Sequence, residues 1–194
     1  MKKNKEETDE TIRKLIAISR RYFTEKGYAD SALEEIVSEA ELTRGALYHH
    51  FGNKKGLFHA VLESVQKEVV EQVEAEASQS DDVWEQLLFG CRAFVKAAVE
   101  PRSRRILLID GPAVLGWDVW RKMDQQHSMR LLSGQLQIMK RQGCFRPASI
   151  EAMTHFLSGA LNESALWIAQ MPDQRQALEE SMTVIALLVE GLKK

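Results

Sequence analysis

The chain has 194 residues, 44% of them hydrophobic and 28% charged, with four prolines, eleven glycines and a formal charge of −2. These values allow a real hydrophobic core and exclude a disordered or collagen-like chain. They also exclude a protein that coats nucleic acid by bulk positive charge, but not a local basic face that binds one site.

Residues 1–60 carry 11 Lys/Arg against 10 Asp/Glu, so any positive field there must come from arrangement. Cys91 and Cys144 have neither metal-ligand spacing nor a disulfide framework, and read as a buried small hydrophobe and a loop thiol. The opening MKKNKEETDETIRK has no apolar stretch, and no 18-residue apolar run occurs anywhere. The expectation is a cytoplasmic chain with no secretory signal and no membrane span.

Lys2, Lys3 and Lys5 make a basic start that reads equally as a solubilising tail or a phosphate-contacting arm. Thr8, Asp9 and Glu10 predict a helix start. Ile12, Leu15, Ile16, Ser19 and Phe23 give that helix a buried stripe, and Gly27 ends it as a left-handed cap. Leu33, Ile36, Val37 and Ala40 fall at i, i+3, i+4 and i+7 of a second helix, with Ser31 and Glu34 in capping-box spacing. Thr43 caps a third helix, on which Leu47 and Phe51 face a small core. The spacing is that of a helix-turn-helix, within a three-helix head over roughly residues 8–50.

The outer face of the third helix carries Arg44, Gly45, Tyr48 and His49, a poor choice for a merely structural helix. Glycine there costs about 1 kcal/mol of helix propensity against alanine, but lets a backbone approach a duplex closely. Arg44 can pair bidentately with guanine, and Tyr48, His49 and His50 offer donors to phosphate oxygens. Lys54 opens the next helix, where free amides favour an anion. No acidic residue occurs from Leu42 to Phe58.

Gly27-Tyr28, Ser31, Leu33, Glu35-Ile36-Val37, Ala40, Leu42-Thr43, Leu47-Tyr48-His49-His50-Phe51, Lys54 and Leu57 together resemble the DNA-binding segment of the TetR family of one-component transcriptional regulators. Three positions depart from the family pattern: Ala32 for a hydroxyl residue, Val37 for alanine and Glu41 for glycine. The Glu41 departure suggests a differently built turn.

Beyond Phe51-Gly52-Asn53, residues 54–77 read as a long amphipathic helix linking the head to the remainder. Asp82 caps a helix through about Val99, which Pro101 stops. Further helices are expected near 102–109, 116–142, 148–170 and 173–192, with Asp110-Gly111-Pro112, Gly143, Pro147 and Pro172-Asp173 as punctuation. The fold class is all-α: an N-terminal three-helix helix-turn-helix DNA-binding domain (1–53) followed by a helical ligand-binding and dimerisation bundle (54–194).

Residues 150–168 and 182–192 have apolar faces wider than one internal contact uses. Phe156, Leu157, Gly159, Ala160, Met182, Ile185 and Val189 are the expected homodimer contacts, since a palindromic operator needs two heads at fixed spacing. The resemblance implies the same pairing of the last two long helices. Phe94, Trp117, Trp120, Met123, His127 and Trp167 read either as core or as the lining of a site for a small apolar or aromatic effector. The resemblance implies an effector site in this region.

No nucleophile elbow or phosphate loop occurs, and His49-His50 diverge by about 100° on a helix. No catalytic residue, metal or cofactor is expected. The function that follows is a homodimeric, ligand-responsive DNA-binding regulator that binds double-stranded DNA through Thr43, Arg44, Gly45, Tyr48, His49, His50 and Lys54; the resemblance implies that it acts as a repressor. The rivals are a DNA-binding protein controlled by a protein partner without a small-molecule effector, and a helical interaction module.

Overall fold

The computed structural model describes residues 2–194, with side chains from Thr8 onward; the side chains of Lys2, Lys3 and Lys5 lie outside the described residues. Helices follow in the order α1 (Lys2–Glu25), α2 (Gly27–Asp30), α3 (Leu33–Glu39), α4 (Arg44–Phe51), α5 (Lys54–Ala77) and α6 (Val83–Val99). Then come α7 (Pro101–Arg104), a π-helical stretch (Arg105–Asp110), α8 (Gly111–Leu115), α9 (Trp117–Gln126), α10 (Ser128–Arg141), α11 (Ile150–Ile168) and α12 (Gln174–Glu190). No strand occurs among the described residues beyond an isolated bridge between Phe145 and Lys193, so the chain is all-α as the periodicity predicts. The first helix begins at Lys2 rather than at Thr8.

Two compact units are built from interleaved segments: Met1–Val65 with Pro101–Trp120, and Gln66–Glu100 with Arg121–Lys194. The boundary expected after residue 53 falls inside the first unit. The reason is the apolar start of α5, where Leu57, Phe58, Val61, Leu62 and Val65 are all fully buried. Phe58 completes an aromatic cluster with Phe23 and Tyr28, at centroid distances of 5.3 and 5.2 Å. Burial of such side chains contributes roughly 1.5–3 kcal/mol each, so detaching this stretch from the head would be costly.

In the first unit, α7 and the π-helical stretch also lie against the head. The Tyr28 amide donates to Asp110 Oδ2 at 3.0 Å, and Thr24 Oγ1 donates to the Arg102 carbonyl. Asp110-Gly111-Pro112, expected to break the chain, is instead helical, and the break moves to Gly116, whose φ is +89°. Pro112 has no N–H to give the carbonyl five residues back, as the wider π pattern requires. That carbonyl belongs to Leu107, and the Trp120 indole N–H fills the vacancy at 2.7 Å. Gly111 makes room for this: a Cβ there would stand 2.8 Å from the indole.

In the second unit, Asp82 caps α6 by accepting from the amides of Trp84 and Glu85, as its position in the sequence predicts. The α6 helix packs on α10, α11 and α12. Its Arg92 forms a two-pronged ion pair with Glu179 of α12, 2.7 Å on the Nη2 side. The helix expected over 116–142 divides into α9 and α10 at His127, whose backbone (φ −117°, ψ −101°) is not helical.

Candidate nucleic-acid interface

The head is built around one small core. Leu33, Ile36, Val37 and Ala40 of the α3 stripe, Leu47 of α4, and Leu15 and Phe23 of α1 are all buried, with α3 packed on α1 and α4. The opposite face of α3 is acidic, and cations from the end of α1 and the residue after it neutralise most of it. Arg21 bonds Glu39, with Tyr22 as a second donor at 3.2 Å, and Lys26 bonds Glu35. The Arg21 bond holds the Glu39 carboxyl below its ordinary range.

Ser31 does not cap α3. Its hydroxyl is buried and donates back to the Gly27 carbonyl at 2.6 Å, and the residue at the cap position is Ala32, which offers no side-chain acceptor. Ser31 therefore closes the preceding turn, and Glu34 is left free for another role.

The turn between α3 and α4 is a Schellman closure: the Leu42 amide reaches the Val37 carbonyl at 2.9 Å, and the Glu41 amide reaches Ser38 at 3.1 Å. Glu41 sits at the left-handed position with φ +58°, the one positive-φ residue besides glycine among those described. The chain thus keeps the turn that a glycine would favour and holds a glutamate in it, rather than building a different one.

Thr43 caps α4 as its sequence position predicts, its Oγ1 accepting from the Ala46 amide at 3.2 Å. With Leu47 turned inward, Thr43, Arg44, Gly45, Tyr48 and His49 are exposed and His50 is half-buried. A Cβ built on Gly45 would meet only Thr43 Oγ1, at 3.6 Å, an ordinary contact. Nothing among the described residues requires glycine there. Arg44 Nη1 lies 2.8 Å from Glu34 Oε1, so the side chain best suited to base reading is parked on α3.

Lys54 is placed differently from its expected role as a phosphate ligand. Its ammonium donates to the Ala29 carbonyl at 3.1 Å and lies 4.6 Å above the Tyr28 ring, and partial burial pulls its pKa down. It fastens the start of α5 to α2, and Lys55 is the exposed cation beside it. Two neighbours not among the expected DNA contacts complete this corner. Asn53 Oδ1 accepts from the Gly56 amide at 2.8 Å, and a Cβ at Gly56 would stand 2.0 Å from the Phe51 carbonyl oxygen. The preference of asparagine for helix caps was the available signal for Asn53.

Residues 15–61 of the chain match the family model described as bacterial regulatory proteins, tetR family, and residues 84–192 match the tetracyclin repressor-like C-terminal domain. The chain belongs to the TetR family. A TetR-family transcriptional regulator from Pectobacterium atrosepticum is 38% identical, with a TM-score of 0.80 and 96% of each chain covered. The HTH-type transcriptional regulator TtgR of Pseudomonas putida is 35% identical over 112 residues, 55% of this chain and 51% of TtgR. The regulator AcrR of Shigella flexneri is 30% identical over 108 residues, 55% of this chain and 50% of AcrR. The chain thus aligns with about half the length of these curated relatives. In the solved TetR-family structure the likeness runs through both parts of the fold.

The C-terminal unit of this TetR-family chain holds a cavity of about 300 Å³. It is walled by the end of α5 and by α6, α9, α10 and α11, with Leu87, Phe94, Met129, Leu132 and Leu161 among the apolar lining. Of the six residues expected to form an effector site, only Phe94 lines it. Trp120 is spent on the Leu107 carbonyl, and Trp117 is 63% exposed beside it. Met123 is core, Trp167 is partly exposed, and His127 Nδ1 donates to the Met123 carbonyl at 2.8 Å. Helix phase explains the difference: the wall residues of α9 and α10 are Asp124, Ser128, Met129, Leu131, Leu132 and Gln135. Cys91 lines the cavity as a buried thiol, its pKa pushed up to about 12 by burial, and Cys144 is half-buried.

The residues expected as dimer contacts divide between inner and outer faces. Leu157, Met182, Ile185 and Val189 are buried inside the unit itself, whereas Phe156 and Gly159 are exposed and Ala160 is half-buried. The outward apolar residues of α11 and α12 are Phe156, Trp167, Val184, Leu187 and Leu188. Among the described residues no group of acidic, His and Cys side chains could hold a metal, and no helix is long and apolar enough to cross a membrane.

Proposed function

We propose that this TetR-family chain is a DNA-binding transcriptional repressor that acts as a homodimer on a palindromic operator and is released by a small apolar effector. The observation that carries the reading is the outer face of α4. Arg44, Gly45, Tyr48 and His49 stand exposed on a helix whose Leu47 is wholly buried, and the glycine has no internal reason to be there. A helix so presented suits a major groove, with Arg44 as the base reader and Thr43, Tyr48, His49, His50 and Lys55 as phosphate contacts.

Two further observations support the dimer and the effector. Phe156, Val184, Leu187 and Leu188 are large apolar side chains left outward on the last two long helices, and Leu187 is 64% exposed. A second copy would cover them and set two heads at the half-site spacing of a palindrome. The cavity favours control by a small molecule over control by a protein partner alone, because its lining is largely apolar with a few polar groups. An effector would act by binding one arrangement of the head better than another, and its differential affinity limits the shift.

The test is selection of genomic fragments by the full-length protein at two salt concentrations, with oligomeric state followed by light scattering. A dimer that enriches one palindrome at both salts supports the reading. A monomer, or steep salt dependence without enrichment, contradicts it.

A further inference from the structure

The cavity of the second unit has a chemical sign, and the inference drawn from it rests on the reading of that cavity as the effector site. Asp124 lines the cavity and is only 2% exposed. Its Oδ2 accepts from Arg121 Nη1 at 2.7 Å and from Ser158 Oγ at 3.4 Å, while no donor to Oδ1 occurs among the described residues. Arg121 is not part of the lining, and it divides its donors among Asp124, Ser158 and His155. Among the described residues the lining contains no lysine, arginine or histidine, and its other carboxylate is the exposed Glu74. Cys91 stays a neutral thiol.

The buried carboxyl is under-compensated. Burial raises its pKa, and the opposing effects of Arg121, Ser158 and His127 do not cancel that rise. A buried charge that its partners leave partly unsatisfied gains from one more positive donor and is penalised by a second negative charge. The remaining polar lining, Ser78, Gln86, Ser128 and Gln135, is partly spent inside the protein: Gln135 Nε2 donates to Gln86 Oε1 at 3.0 Å and to the Val83 carbonyl at 2.9 Å, Ser128 Oγ donates to Gln66, and Ser78 Oγ donates to the Ala75 carbonyl. Phe94 and the leucines would take an apolar body.

We infer that the effector is an apolar amine, its protonated nitrogen donating to Asp124 Oδ1 and its body lying among Leu87, Phe94, Leu132 and Leu161. Anionic amphiphiles of the same size are excluded by Asp124 and by the absence of any cation in the wall. Neutral alcohols fill the same space and can donate an O–H to the same oxygen, but bring no positive charge to it.

The test uses three probes that share one body: 4-phenylbutylamine, 4-phenylbutan-1-ol and 4-phenylbutyrate. Binding to the full-length protein and to Asp124→Asn is measured by calorimetry, and release of bound DNA by fluorescence anisotropy. The expected result is that the amine binds about tenfold or more tightly than the alcohol, and the butyrate most weakly. Asp124→Asn removes the amine's advantage and changes alcohol affinity far less, and retained alcohol binding also shows that the cavity is intact. Butyrate binding as tightly as the amine, an amine preference that survives in Asp124→Asn, or no binding by any probe each overturns the inference. The DNA readout separates the two layers. An amine that binds through Asp124 without releasing DNA leaves the binding class standing and removes the effector reading. Butyrate or alcohol that binds better and releases DNA does the reverse.

Discussion

Glu34 of α3 holds Arg44 of α4, with Arg44 Nη1 2.8 Å from Glu34 Oε1, and both side chains are more than half exposed. An arginine so placed must leave one anion to reach another, and exposed pairs of this kind contribute only about 0–1 kcal/mol. Removing the charge at Glu34 should free Arg44 and also remove a negative charge from the surface that meets phosphate. Glu34→Gln is expected to tighten DNA binding by up to about fivefold, more at low salt than at high, as measured by fluorescence anisotropy across a salt series.

Lys54 and Lys55 adjoin in sequence but differ in physical situation, and two substitutions separate them. Lys55→Ala should weaken binding to all sequences about equally and flatten the salt slope by about one per subunit. Lys54→Ala should act first on the fold, loosening the start of α5 from Tyr28 and Ala29, and should lower the urea midpoint. Equal salt-slope effects from both would show that Lys54 leaves its internal partners on binding.

Gly45 gives a test in which stability and function move in opposite directions. Its Cβ position is open and α4 is an exposed helix, so Gly45→Ala should stabilise the head by about 0.5–1 kcal/mol. The same methyl group would stand between the helix backbone and the duplex, and DNA affinity should fall. A stabilised variant with unchanged affinity would mean that this face does not approach DNA closely.

Much of this head was legible in the sequence because its signals are local. The α3 stripe and the Thr43 cap follow from spacing, and α5 begins and ends where the apolar pattern does. What escaped depends on partners far along the chain. Nothing near Trp120 announces that Pro112 would leave the Leu107 carbonyl without a donor, so a tryptophan on a helix face read equally as cavity wall. Lys54 read as a phosphate ligand because its internal acceptor, the Ala29 carbonyl, lies in another helix. Which residues of α11 and α12 face outward was also hard to read: successive residues diverge by about 100°, so a contiguous apolar run such as Phe156-Leu157 contributes to both an inner and an outer face.

Glu41 shows the converse, a departure in sequence without a departure in structure. Its φ of +58° is a conformation that a side-chain-bearing residue adopts at a cost of roughly 1–2 kcal/mol. Its contact with Lys14, 3.6 Å between a half-exposed lysine and a largely exposed carboxylate, offsets little of that cost. Glu41→Gly should therefore stabilise the head by up to about 1 kcal/mol after the entropy of the freer unfolded chain is counted, seen as a raised urea midpoint. A lowered midpoint would show that the glutamate makes a compensating interaction.

The most direct test of the central claim, that the outer face of α4 reads base sequence, is the binding preference of Arg44→Ala beside the natural protein on the enriched operator and its single-base variants. The account predicts that Arg44→Ala costs about 1–3 kcal/mol on the operator and loses discrimination at one position in each half-site, with discrimination elsewhere retained. Unchanged affinity and unchanged preference at every position would contradict it.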